Sequence, residues 1–450
     1  MKIHCIAVDN GIELSVNERK YNVEFPSEIW KDFPAGLKKS YVASYAFLKS
    51  LHLPQMLNEN TIEFNTMYPM FKNSIQHCLL NSVAFTSDVD GASSGERIRN
   101  FINLQMSFGG FETSYPSYEN GLDERAVLSI SFGKDSLLTY ALAEELNLEP
   151  ELFMSLDNDL PVENRYKTGI VRRFEAMTAK KVYTVINNTS VIHRYKYWNS
   201  PKTEWGFGHL ITEYCLNALP FMHSLRARYL LIGNEKSCDD SYVNSDGYLS
   251  YPVYDQSSEW LLELTRMTKA FTNNQAQVMS LIEPLHDLAV MRILHKRYPK
   301  IGEHQMSCFP DENEYGQENY WCCHCSKCAR SYILLLANNI DPKSVGFKTN
   351  MLKRSFKNLF SVYSVKADGG SAVGYDACGC GRDEQLFAFY LACRNGAKGE
   401  LIDDFRGSLF DEASEREDEF HKKYYGIHDS RTLPRRFLRP LHAIFREELG

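Results

Sequence analysis

The chain has 450 residues, 44% of them apolar, with a formal net charge of -7. That length exceeds one ordinary domain and predicts two or three, each able to bury a core. The acidic balance excludes the broad basic footprint of a general nucleic-acid binder, so small molecules or proteins are the expected partners. With no run of about 18 apolar residues and no basic-then-apolar leader in MKIHCIAVDNGIEL, a cytoplasmic protein without membrane contact is expected.

Residues 1–120 alternate strand-like runs (IHCIAV, IELSV, YNVEF, TIEFN) with helix-like stretches around Trp30 to Leu51 and Pro69 to Val83, which predicts an α+β domain without an evident catalytic motif. From Asp88 to Glu124 the composition turns to Gly, Ser, Asn and Tyr, and a domain boundary or flexible loop is expected. From Ala126, within residues 121–300, strand and helix alternate. AVLSIS precedes SLLTYALAEEL, ELFMSL precedes a helix near Glu163 to Met177, and KVYTVI follows. Next come a helix near Leu210 to Leu225, the strand RYLLIG, a helix near Ser257 to Phe271, VMSLIEP, and a helix near Asp287 to Arg297. This pattern predicts an α/β fold with a doubly wound, mostly parallel sheet whose ligands sit at the carboxyl ends of the strands. Residues 301–346 read as a zinc-binding segment and 347–450 as a helical extension. The latter carries an acidic stretch (Asp411 to Glu419) and a basic one (Arg431 to Arg439), whose near-cancelling charges suggest a solvated appendage.

Ser131-Phe132-Gly133-Lys134-Asp135-Ser136 follows a strand and opens a helix, so backbone N-H groups and the helix N-terminus converge on a phosphate-binding position. Ser131 and Ser136 add hydroxyl donors, Lys134 a point charge, and Asp135 a ligand for Mg2+ bridging phosphate oxygens. The segment resembles the Ser-Gly-Gly-x-Asp-Ser pyrophosphate loop of the N-type ATP pyrophosphatases, which split ATP into AMP and pyrophosphate. It is unlike the kinase and GTPase loop. Phe132 stands where that family has glycine, and because a bulky side chain tolerates positive φ poorly, an ordinary backbone is expected there.

Cys308, Cys322, Cys325 and Cys328 supply a closed set of thiolates for tetrahedral Zn2+, with Cys323 or His324 able to replace a ligand if the loop bends differently. Ser307-Cys308-Phe309 followed by the Cys-x-x-Cys-x-x-Cys run and Arg330 resembles the zinc site of the 7-cyano-7-deazaguanine synthases (QueC type). Ile232-Gly233-Asn234-Glu235-Lys236-Ser237-Cys238-Asp239 resembles the same family's Gly-x-Asn-x-x-Asp stretch, and implies that Gly233, Asn234 and Asp239 lie at the cofactor and substrate site. Glu283-Pro284-Leu285 resembles its Pro-Leu segment, with Val290 in place of the family's lysine. The resemblance covers residues 126 to 346.

That resemblance implies a carbon-nitrogen ligase, with Lys134, Asp135 and Ser136 as catalytic residues. It would adenylate 7-carboxy-7-deazaguanine with ATP and pass the acyl group to ammonia, giving an amide that a second ATP converts to the nitrile, or to an amine on a partner protein, as in antiphage operons that carry QueC-like proteins. A homodimer is compatible with it. Sulfur transfer to tRNA and a non-catalytic zinc-ribbon binding protein are the rival readings. Tyr195, Tyr197, Trp198, Trp205 and Phe207 suggest a pocket, a docking surface or a buried loop. Cys378, Cys380 and Cys393 suggest a second metal site or, with Gly379 and Gly381, a tight loop over the active site. His193, His209 and His223 carry no assigned role.

Overall fold

The computed structural model describes residues 1–111, 115–158, 160–308, 321–363 and 374–450. One sheet of ten strands runs through the molecule. Its strands are β1 (Lys2–Val8), β2 (Gly11–Val16), β3 (Arg19–Glu24), β4 (Thr61–Met67), β5 (Gln105–Gly110), β6 (Asp123–Ser129), β7 (Glu151–Asp157), β8 (Val182–Asn187) and β9 (Ala227–Leu231). A small hairpin, β10 (Tyr242–Val243) and β11 (Leu249–Ser250), stands apart, and β12 (Gln277–Met279) completes the large sheet. The order is β12-β9-β6-β7-β8-β3-β2-β1-β4-β5, mostly parallel. The antiparallel pairings are β8 with β3, β3 with β2 and β2 with β1.

The block β8-β7-β6-β9-β12 is doubly wound. The chain steps outward from β6 through β7 to β8, returns to the other side of β6 as β9, and ends at β12. The order therefore reverses between β6 and β9, and the crevice beyond their carboxyl ends is where such sheets bind ligands.

Alternation along each strand sends neighbours to opposite faces. Ala126, Leu128 and Ile130 join one core, together with the helices Lys134–Glu145, Asp287–Arg297 and Ser326–Ala337 and the C-terminal helices. Val127, between them, joins the other core, which holds the helices Ala35–Ser50, Leu210–Ser224 and Ser258–Phe271. The N-terminal strands continue the doubly wound block through the register Val23↔Asn187, and the helix Ala35–Ser50 shares its core with Leu210–Ser224.

Two expectations change. The first part of the Gly/Ser-rich stretch after Asp88 folds into the helix Ser94–Ile102 and strand β5, while residues 115–122 carry no helix or strand and 112–114 lie outside the described residues. Gly91, at φ 68, ends the helix Lys72–Asp90 in the left-handed conformation, and Ser93 accepts the Glu96 N-H as cap of the next helix, so the polar cluster is capping chemistry. The C-terminal region is no solvated appendage. Glu283 accepts from Ser430 Oγ, Arg431 N and Thr432 N at 2.6, 2.7 and 3.1 Å, which fastens the turn before the helix Arg435–Leu449 to the sheet.

Candidate functional site

The loop Ser131–Ser136 leaves β6 at the reversal point, and the segment Ile232–Asp239 leaves β9 beside it. They meet closely: a Cβ on Gly233 would lie 2.8 Å from the Asp135 carbonyl carbon and 3.0 Å from Ser136 N, so only glycine fits. Within the loop, Ser136 Oγ accepts from Ser131 N and donates to Gly133 O, both at 3.2 Å, and Gly133 N donates to Ser131 Oγ at 3.3 Å. The helix Lys134–Glu145 opens directly from this turn, with its orphan N-H groups facing the crevice end.

Phe132 corrects the expected ordinary backbone: its φ is 60, in the left-handed region. Its ring is fully buried and meets Phe174 edge-on at 5.4 Å, while its carbonyl accepts from Met306 N at 2.7 Å. Left-handed backbone costs a bulky residue about 1–2 kcal/mol, whereas truncating a buried Phe costs about 3–5 kcal/mol. The anchored ring therefore outweighs the strain. Phe132→Gly is expected to lower stability by about 1–4 kcal/mol in denaturant unfolding, and a stabilised variant would show that strain dominates instead.

Charged side chains from six segments converge at the loop. Lys134 Nζ pairs with Asp135 at 2.7 Å and Asp287 at 2.6 Å, and Arg330 reaches Asp287 at 3.5 Å and Asp376 at 3.8 Å. Glu384 accepts the Leu288 N-H at 2.8 Å. Burial opposes the charge on Lys134, but Asp135 and Asp287 more than offset this and raise its pKa above the ordinary lysine value. Burial likewise opposes ionisation of Asp287, yet Lys134 and Arg330 hold its pKa below the carboxylate norm. Burial and the Asp287 charge push Glu235 up to about 8 and raise Glu384 well above its ordinary value. Among the described residues, Glu384 Oε2 and Asp376 Oδ2 are buried without a hydrogen-bond partner. The carboxylates outnumber the two cations they surround, which leaves a buried acidic cluster beside the loop.

Asn234 and Asp239 direct their polar atoms to the protein. Asn234 Nδ2 donates to Gln256 O at 2.8 Å, and Asp239 accepts the Ser258 N-H at 2.7 Å and pairs with Lys236 at 3.0 Å. They shape the rim of the crevice and set the start of the helix Ser258–Phe271. Sequence reasoning missed Glu235, Asp287, Asp376 and Glu384. Asp287 had a usable signal, since it opens a helix just beyond a strand end; Asp376 and Glu384 arrive from the C-terminal region, which carries no motif.

The cysteines gather as expected. The sulfurs of Cys308, Cys322, Cys325 and Cys328 lie within 4.8 Å of one another, with Cys322 3.5 Å from Cys325 and 3.6 Å from Cys328. A tetrahedron of about 2.3 Å zinc-sulfur bonds has edges of about 3.8 Å, so the spacing fits. The backbone N-H groups of Cys322 and His324 donate to Cys308 Sγ and Cys322 Sγ, both at 3.4 Å, which stabilises thiolates. These four can hold zinc. Cys323 turns its thiol to the Trp321 carbonyl and His324 is exposed, so neither replaces a ligand in this arrangement. Phe309 lies outside the described residues. Cys325 caps the helix Ser326–Ala337, which carries Arg330 into the acid cluster, and the chain just before Cys308 supplies the Met306 bond to the loop. The cysteine knot thus braces the loop from behind.

The remaining aromatic and thiol candidates differ in burial. Trp205 is 2% exposed and donates to His52 O at 2.9 Å, and Trp198 donates to Ile192 O at 2.9 Å. Arg19 covers the rings of Tyr197 and Trp198 at 5.0 and 4.8 Å. Trp205 is thus a core residue and not a docking one, whereas Tyr195, Tyr197 and Trp198 are half-buried against the N-terminal layer and Phe207 is exposed. Cys378, Cys380 and Cys393 form no ligand group among the described residues; Cys393 points to Ile402 O. The loop before them does reach the site, since Tyr375 donates to Asp240 at 2.5 Å and lies 5.5 Å under Arg330. Among the described residues, no helix is long and apolar enough to cross a membrane. No family model matches the chain, and no curated protein matches it.

Proposed function

We propose that the chain is an ATP-dependent ligase that adenylates a carboxylate, releases pyrophosphate, and passes the acyl group to an amine, with 7-carboxy-7-deazaguanine as the carboxylate. What carries the reading is the closely packed pair of loops, Ser131–Ser136 and Ile232–Asp239, at the reversal point of a doubly wound sheet, with an acid cluster alongside.

A carboxylate resists attack because oxide is a poor leaving group, and transfer of AMP replaces it with a phosphate ester. The protein's part is then positioning and charge neutralisation. The N-H groups opening the helix Lys134–Glu145, with Ser131 and Ser136, bind the pyrophosphate portion of ATP. Lys134, held between Asp135 and Asp287, fixes the direction of the Asp135 carboxylate. Asp135, with Asp287 and Glu235 beside it, would hold Mg2+, which when bound neutralises charge on the phosphate oxygens. Arg330 would add a permanent cation for the nucleotide's phosphates, held by Asp287 and Asp376. The zinc knot is structural, since four thiolates leave no position for water.

The test is to incubate the purified chain with ATP, Mg2+ and 7-carboxy-7-deazaguanine and to follow AMP and pyrophosphate. Carboxylate-dependent release of pyrophosphate is expected at the adenylation step, and of AMP once an amine takes the acyl group; ADP with phosphate, or no pyrophosphate, would sink the proposal. Ammonia and a peptide amine added in parallel identify the acceptor by the product's mass.

A further inference from the structure

Away from this site, three histidines meet inside the second core. His52 follows the helix Ala35–Ser50, His193 ends the 3-10 turn Ser190–His193, and His209 caps the helix Leu210–Ser224. Each is at most 1% exposed. Their ring centroids lie 5.1 Å apart for His52 and His193, 5.5 Å for His52 and His209, and 4.8 Å for His193 and His209. One ring nitrogen from each falls within 4.8 Å of the others.

Their hydrogen bonding is incomplete. Among the described residues neither ring nitrogen of His209 has a partner, nor does Nδ1 of His52, whose Nε2 faces Ile192 O at 3.4 Å. An unmade buried bond costs about 1–3 kcal/mol, so orphaned nitrogens on neighbouring rings call for a shared partner. The chain also crowds in around the rings at some cost. Gly206, at φ +109, would place a Cβ 2.7 Å from His52 Cδ2, and Gly208 would place one 2.6 Å from Ser82. Nearby, Lys49 Nζ lies 2.5 Å from His193 Nε2 and 2.8 Å from Glu213, which also accepts from Tyr45 and Asn187.

We propose that His52, His193 and His209 form a second metal site, separate from the cysteine knot, that binds a divalent transition-metal ion such as Zn2+ through three imidazoles. Three neutral nitrogens are a sufficient ligand set for zinc, with water or the Glu213 carboxylate completing it. Because the ligands come from the N-terminal layer (His52) and from the doubly wound half (His193, His209), the ion staples the two together. Lys49 is its competitor at His193, and Glu213 is the anion that offsets its charge. The inference does not depend on the ATP reading.

Full-length chain, produced with Co2+ filling the cysteine set, is titrated further with Co2+ and, separately, with Zn2+. The cysteine set announces itself by thiolate-to-cobalt charge transfer. A further equivalent, adding ligand-field bands without new charge transfer, is expected for the histidines. His209→Gln should lose that equivalent while keeping the thiolate signal, and Lys49→Gln should bind it more tightly. A wild-type chain saturated once its thiolate signal is complete would overturn the proposal, as would an unchanged second equivalent in His209→Gln. Should His209→Gln fail to fold, the wild-type stoichiometry and the direction of the Lys49→Gln shift decide.

Discussion

Cys328→Ser is expected to abolish zinc binding by the cysteine set and to unfold the helix Ser326–Ala337. Structural zinc sites contribute about 10–16 kcal/mol of apparent binding energy in isolated fingers, comparable to the whole stability of a typical domain at about 5–15 kcal/mol. The sulfur of Cys328 is fully buried beside Cys322, on the first turn of a helix whose far side lies in the main core. Losing it frees the segment behind the loop, including the Met306 bond to Phe132, so activity should fall with structure. Metal analysis should find the knot empty, and limited proteolysis should cut the helix Ser326–Ala337 before the rest of the chain. Cys323→Ser is the control: its thiol faces the Trp321 carbonyl, so zinc content should not change. A stable, active, zinc-free Cys328→Ser protein would mean the cluster serves another purpose.

Much of the fold could be read in advance because its signals are local. The strands from β6 to β9 show short apolar runs followed by helical periodicity, and the helix Asp287–Arg297 was legible at both ends, from its acid start to its basic last turn. What escaped was non-local. Strand β5 exists because it pairs in parallel with β4 from Thr61↔Gln105 to Phe64↔Phe108, and its own Gly-containing sequence QMSFGG has little strand character. The merging of the N-terminal strands into one sheet rests on the short β3–β8 pairing, which no periodicity announces.

The site divides along the same line. The loop Ser131–Ser136 and the cysteine spacing are contiguous motifs and were found. The charge network has members from residues 134 to 384, and it is legible only once the strand ends are brought together. Phe132 was read as a bar to left-handed backbone because propensity was weighed alone; its buried contact with Phe174 overrides that preference.

The network also predicts that two neighbouring aspartates will fail in different ways. The side chain of Asp135 is 31% exposed and that of Asp287 only 1%, although both touch Lys134 Nζ. In Asp135→Asn the ammonium keeps Asp287, so stability should change by no more than about 1 kcal/mol, as for a partly exposed pair. Pyrophosphate release should nevertheless drop by at least about 10²-fold, the scale seen when one preorganised charge-stabilising group is removed. In Asp287→Asn, Lys134 and Arg330 lose the buried anion they share, and the cost should be about 3–5 kcal/mol. Thermal unfolding and pyrophosphate release, measured on both variants, separate the roles. Wild-type release from Asp135→Asn would remove the loop from the chemistry, and an Asp287→Asn protein as stable as the parent would show that Arg330 and Lys134 are neutralised by other carboxylates of the cluster.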